Sequence, residues 1–192
     1  LGLDYLDLYL IHQPYSDTYG AWRAMKRLRD EGLVRSIGVS NFYADRIVDL
    51  CEHSGVIPAV NQLECHPFFQ REALKRVLDG YGIAFESWAS FAEGKNDIFK
   101  NAVLSGIGEK YGKSSVQVIL RWLIQRGIVV IPKSVKIERM KQNFDIFDFA
   151  LTPDDMAAIA ALDTGKTLFF DHRDDGRVKW LVNWMKDNTP KQ

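Results

Sequence analysis

The stretch Leu3-Asp4-Tyr5-Leu6-Asp7-Leu8-Tyr9-Leu10-Ile11-His12 carries the pattern that decides the fold. From Tyr5 to Ile11 the leucines at positions 6, 8 and 10 recur with period two, so they share one face of a strand, and His12 follows on the same parity. A polar residue therefore stands where an apolar face ends. The same arrangement recurs four times downstream. Strands are predicted over Val34–Ser40, Ala59–Glu64, Ile83–Ala89 and Ile128–Ile131, and at or just beyond their ends stand Ser40 with Asn41, Gln62, Trp88, and Lys133 with Ser134. Helical stretches separate them. Thr18–Glu31 has Trp22, Met25 and Leu28 at helical spacing and Gly32 just past its end; Ala44–Ser54 stops at Gly55; Arg71–Tyr81 closes at Gly82. The first four strands start at 5, 34, 59 and 83, intervals of 29, 25 and 24 residues. That is the length of one βα unit in a parallel sheet.

Two parallel architectures compete. A doubly wound nucleotide fold usually carries a glycine-rich turn after its first strand, and here that turn is His12-Gln13-Pro14. A (β/α)₈ barrel keeps its active site at the C-terminal ends of its strands, where the polar residues of this chain fall. The fold class expected is thus α/β, a partial (β/α)₈ barrel of five parallel strands with outer helices. A whole barrel has eight units and about 250 residues, against 192 here.

The longest connection follows the fourth strand: a loop over Gly94–Asp97, then helices over Asn101–Tyr111 and Ser115–Arg126, the second opened by a Ser114/Gln117 capping box. Ile128–Ile131 is entirely apolar and is expected to be buried. A short helix follows over Ile137–Asn143. Thr152-Pro153-Asp154-Asp155 opens another to Leu162, with a cap, a proline at the first helical position and acids in the first turn. Residues 1–163 form the expected barrel portion. From Thr164 a tail runs to Gln192, helical over Arg177–Lys186 with Trp180, Leu181 and Trp184 on one face; it either lines a substrate mouth or packs on the barrel.

Composition excludes several classes. Hydrophobic residues are 46% and charged residues 26%, an ordinary globular balance. Lys+Arg and Asp+Glu are both 25, so no basic footprint for nucleic acid exists at chain level. No apolar run approaches the roughly 18–20 residues of a membrane span. Cys51 and Cys65 are the only cysteines, and no signal-peptide pattern precedes the first strand; a reduced, cytoplasmic setting is expected. His53, His66 and His172 lack metal-site spacing, and no metal is expected.

Four short motifs, each at a strand end, resemble the aldo-keto reductases: Leu3 to His12, Ile37-Gly38-Val39-Ser40-Asn41-Phe42, Asn61-Gln62, and Ile131-Pro132-Lys133-Ser134. They come in that family's order and spacing. His12-Gln13-Pro14 and the stretch Phe91 to Asn96 resemble bacterial members of the diketogluconate-reductase type. The resemblance implies NADPH-dependent reduction of aldehydes or ketones on a (β/α)₈ barrel, with these strands as the fourth to eighth.

What it implies for single residues follows position by position. His12 corresponds to a catalytic histidine that hydrogen-bonds the substrate carbonyl, where negative charge grows. Ser40, Asn41 and Gln62 correspond to a clamp on the nicotinamide carboxamide, which needs donors and acceptors together; turn-forming polar residues are the bland alternative for Ser40 and Asn41. Trp88 corresponds to the aromatic that stacks on the nicotinamide. Lys133, Ser134 and Arg139 correspond to the grip on the 2′-phosphate, which favours NADPH over NADH. A solvated basic helix is less expected at Lys133, directly after an apolar strand. Asn143 resembles the adenine contact, while Gln142 stands where relatives often have glutamate. Ala89-Ser90-Phe91 replaces the usual Ser-Pro-Leu.

The family's reaction also uses a tyrosine acid with a lysine and an aspartate behind it. None of the tyrosines 5, 9, 15, 19, 43, 81 and 111 lies in the matching motif. The expectation is therefore an incomplete enzyme of little activity alone, acting on a small carbonyl substrate and prone to self-association through open sheet edges. A non-catalytic NADPH-binding module of the same fold is the rival, and an unrelated small α/β protein the third reading.

Overall fold

The computed structural model describes residues 2–188. Five parallel strands follow chain order through one sheet, β1 (Leu6–Ile11), β2 (Val34–Ser40), β3 (Val60–Glu64), β4 (Ala84–Trp88) and β5 (Val129–Val130). The helices between and after them are α1 (Thr18–Asp30), α2 (Ala44–Ser54), α3 (Glu72–Tyr81), α4 (Ala102–Tyr111), α5 (Ser115–Gln125), α6 (Ile137–Phe144), α7 (Pro153–Ala160) and α8 (Asp175–Asn188). No helix is long and apolar enough to cross a membrane among the described residues. The described residues divide into two compact units, 2–61 with 169–188, and 62–168.

In the first unit, β1 and β2 pair in parallel with Leu6 opposite Val34 and Ile11 opposite Val39. The amphipathic helix α1 lays Trp22 and Met25 against these strands, and Ile47, Leu50 and Cys51 of α2 are buried with Ile37 and Val39. The α1 start is capped by Asp17, which accepts from Gly20 N–H at 2.8 Å. Gly38 sits where the chain crosses closely: a Cβ there would lie 2.6 Å from Leu10 Cδ2 and 2.8 Å from the Val60 carbonyl oxygen.

In the second unit the core is Leu63, Leu78, Phe85, Leu104, Ile119, Trp122 and Leu123. The Ser114/Gln117 capping box is present at α5, and Thr152 with Asp155 forms a second at α7. Asp155, 1% exposed, also accepts from Lys110 Nζ at 2.7 Å and from Tyr111, tying α7 to α4.

Three sequence expectations need correction. The fifth strand is two residues rather than four, and it is not buried: Val129 is 44% and Ile131 57% exposed, and only Ile128 is enclosed. An apolar run records what a strand can bury, not whether a neighbour covers it. Lys133 accordingly follows no buried strand and is itself exposed. The loop over Gly94–Asp97 is part of a kinked 3₁₀ segment, Ala92–Lys100, with left-handed backbone at Glu93, Gly94, Asn96 and Asp97.

Candidate active site

His12, Ser40 and Asn41 belong to the first unit, while Gln62, Trp88, Lys133, Ser134, Arg139 and Asn143 belong to the second. Each set is built by its own unit.

In the first, β1 and β2 end side by side. Asn41 adopts φ 64°, a left-handed conformation that asparagine tolerates better than most residues. Its Nδ2 donates to the His12 carbonyl oxygen and to Ser40 Oγ, both at 3.1 Å. Asn41 thus fastens one strand end to the next. His12 is held by its backbone, and its ring is exposed. Asn61, fully buried, donates to the Phe42 carbonyl oxygen at 2.7 Å and supports the same turn.

The tail reaches the loops beyond these strands. Tyr15 Oη donates to the His172 carbonyl oxygen at 3.0 Å, His172 Nε2 lies 3.0 Å from Gln13 Oε1, and Tyr43 Oη donates to Asp171 at 3.4 Å. Burial, with Tyr43 and Asp171 adding to it, pushes the Tyr15 phenol up to about 12, so it stays a neutral donor. Trp180 and Trp184 are exposed rather than packed.

In the second unit, Gln62 Nε2 donates to Glu86 on the neighbouring strand. Trp88, at the end of β4, is half-buried, and its carbonyl oxygen accepts from Cys65 N–H at 3.3 Å. Below them Glu64 and His66 form a fully buried pair at 3.0 Å. Glu64 also accepts from Thr167 Oγ1 and from Leu168 N–H at 3.0 Å, so it anchors the chain where the tail departs. Burial raises its carboxyl, but His66, Thr167 and Leu168 outweigh this and hold it below its ordinary value.

The remaining residues converge. Lys133, Ser134, Arg139 and Asn143 line one cavity of about 540 Å³ with Lys136, Gln142, Phe91 and Phe99. Its lining contains three cations and no carboxylate. Ser134 Oγ accepts from Lys136 N–H at 3.1 Å, which shapes the turn into α6. The Phe91 and Phe99 rings lie 6.2 Å apart as an apolar wall. A charged end beside an aromatic wall suits a ligand that is part anion and part flat ring.

Glu86 and the cavity role of Phe91 and Phe99 escaped the motif reading. Alternation would have found Glu86, since it shares parity with Trp88. The phenylalanines come together only through the kinked segment.

Residues 1–164 match the Aldo/keto reductase family. The chain belongs to that family. This aldo/keto reductase chain is 47% identical over 176 residues to an aldo-keto reductase of Mycolicibacterium smegmatis, covering 90% of the chain and 63% of the relative. It is 43% identical over 171 residues to methylglyoxal reductase DkgA of Escherichia coli, covering 88% and 62%. The crystal structure of a Bombyx mori aldo-keto reductase in complex with NADP superposes with a TM-score of 0.82 at 37% identity, covering 88% of this chain and 61% of that one. The chain thus spans about three fifths of the length of these relatives.

Proposed function

We propose that this chain contributes most of the NADPH site of a carbonyl reductase that converts small aldehydes or ketones to alcohols. The observation that carries the reading is the cavity lined by Lys133, Ser134, Arg139 and Asn143. Three cations without a carboxylate fit the 2′-phosphate that distinguishes NADPH from NADH. The Bombyx mori relative solved with NADP and the Escherichia coli relative named for methylglyoxal reduction support the cofactor and the substrate class.

Bound NADPH supplies hydride. The chain's own residues do the rest. Lys133 and Arg139 hold the phosphate, Ser134 shapes the loop beneath it, and Asn143 meets the adenine. In the second unit, Trp88 offers a flat face to the nicotinamide and Gln62 orients its amide, a positioning effect; Ser40 and Asn41 of the first unit are assigned to the amide by the family resemblance alone. His12, at the exposed end of β1, donates to the carbonyl oxygen as it gains charge.

The tyrosine, lysine and aspartate of the family reaction have no counterpart in the matched motifs, so turnover by this chain alone is expected to be weak or absent. The strands are read as the fourth to eighth of the family, and copies as associating through the open sheet edges, with the exposed apolar side chains around β5 and α6 adding to that surface. Titration of NADPH against Lys133→Ala and Arg139→Ala tests the cavity. Losing a charge-assisted phosphate contact should weaken binding about tenfold or more, with NADH less affected; equal NADPH affinity across the variants would overturn the assignment.

A further inference from the structure

Strand β4 alternates sharply. Phe85 and Ser87 are buried on one face; Glu86 and Trp88, both half-buried, share the other. A carboxylate on that face is out of keeping with a core strand, since charged groups are seldom placed there without a partner of opposite sign. Among the described residues, no lysine, arginine or histidine forms an ion pair with Glu86. Its partner is instead the neutral amide of Gln62, whose Nε2 donates to it.

We propose that Glu86 is a positioning residue, which locks the Gln62 amide in one orientation and biases the site toward the oxidised nicotinamide. The inference rests on the reading that Gln62 and Trp88 hold that ring. Its first half follows from hydrogen-bond chemistry. A glutamine amide has a donor end and an acceptor end of nearly equal shape, so packing alone does not choose between its two orientations. An ionised carboxylate only accepts. It therefore turns the nitrogen of Gln62 toward β4 and the oxygen away, and a ligand amide meets a defined pattern rather than an average of two.

The second half follows from charge. The oxidised nicotinamide ring carries a formal positive charge and the reduced ring does not. A fixed negative charge on the face that bears Trp88, with no cation paired to it, stabilises the oxidised form more than the reduced one. Glu86 then shifts the relative affinity of NADP⁺ and NADPH without touching the ring.

Calorimetric titration of the chain with NADP⁺ and NADPH separately tests both halves. Glu86→Gln keeps an acceptor of the same size and removes the charge. It should raise the ratio of the NADP⁺ to the NADPH dissociation constant about threefold to tenfold, with NADPH affinity changed less than about twofold. Glu86→Ala removes the acceptor as well and should weaken both forms, with Glu86→Gln recovering NADPH binding. Because the ratio compares two ligands on one protein, it does not move with the fraction folded. An unchanged ratio in Glu86→Gln, or unchanged affinity for both forms in Glu86→Ala, would overturn the proposal while leaving the cofactor site standing. Absence of saturable NADPH binding by the wild-type chain would instead overturn the cofactor-site reading, and this proposal with it.

Discussion

Gly38 shows how much a single position decides at the mouth of the sheet. It lies in Ile37-Gly38-Val39-Ser40-Asn41, with the Leu10 side chain and the Val60 carbonyl oxygen close on its Cβ side. Gly38→Ala forces 2.6 and 2.8 Å contacts; since one of the two is backbone, rearrangement is not cheap. Overpacking of this kind costs about 1–3 kcal/mol, so the urea midpoint of unfolding should fall, and an unaltered midpoint would show that the strands move apart freely. At the same scale, Asn41 was readable as a motif residue, and the structure adds what it does for the backbone: φ 64° and two donated hydrogen bonds shape the turn. Glu86 was within reach of the alternation of its strand, but what it does depends on its neighbour Gln62.

Among the elements, α7 carries a strongly depressed carboxyl that ties its stability to pH. Burial raises the Asp155 carboxyl, but Lys110, Tyr111 and Thr152 outweigh it and leave it well below the ordinary carboxylate range. A carboxylate depressed on folding contributes stability that is present above its unfolded value, about 4, and is lost as pH falls through the folded value. Wild-type protein should therefore lose part of its stability on acidification below about pH 4, and Asp155→Asn should flatten that dependence while lowering stability at neutral pH. Denaturant curves recorded from pH 7 to pH 2 would show it; parallel pH profiles for the two proteins would contradict it. The caps themselves were legible. The Ser114/Gln117 box and the Thr152 cap are local patterns that form as read, and the structure adds the return bond from Asp155. Strand β5 was not legible in the same way, because its exposure depends on what lies beside it.

For the molecule as a whole, the expectation concerns association. Val135, Ile137, Met140, Phe144 and Phe147 are all exposed around α6, with Phe144 at 76%. Met140, Phe144 and Phe147 line one shared hollow, and exposed apolar surface of this kind seeks cover. Sedimentation of the chain should show mass rising with concentration, and the double substitution Phe144→Asp with Phe147→Asp should suppress it; a strictly monomeric wild-type chain would count against association through this surface. Sequence relatives extend well beyond the matched length, with about three fifths of each covered.

What the amino-acid order determined by itself was local and periodic. Alternation in β1, glycine stops after α2 and α3, a capping box, a capped proline start and four motifs at strand ends were enough to read parallel βα units and the aldo/keto reductase family. These signals act over a few residues, through backbone sterics and near-neighbour hydrogen bonds, and survive without tertiary context. Contacts between distant residues were decided only in three dimensions. The anchoring of Thr167 and Leu168 on Glu64, the aromatic wall of Phe91 and Phe99, the exposure of β5 and the charge of Glu86 laid against Gln62 are such contacts. The physical reason is that burial and charge pairing are properties of what the folded chain places alongside a residue, and no window of sequence contains that neighbour.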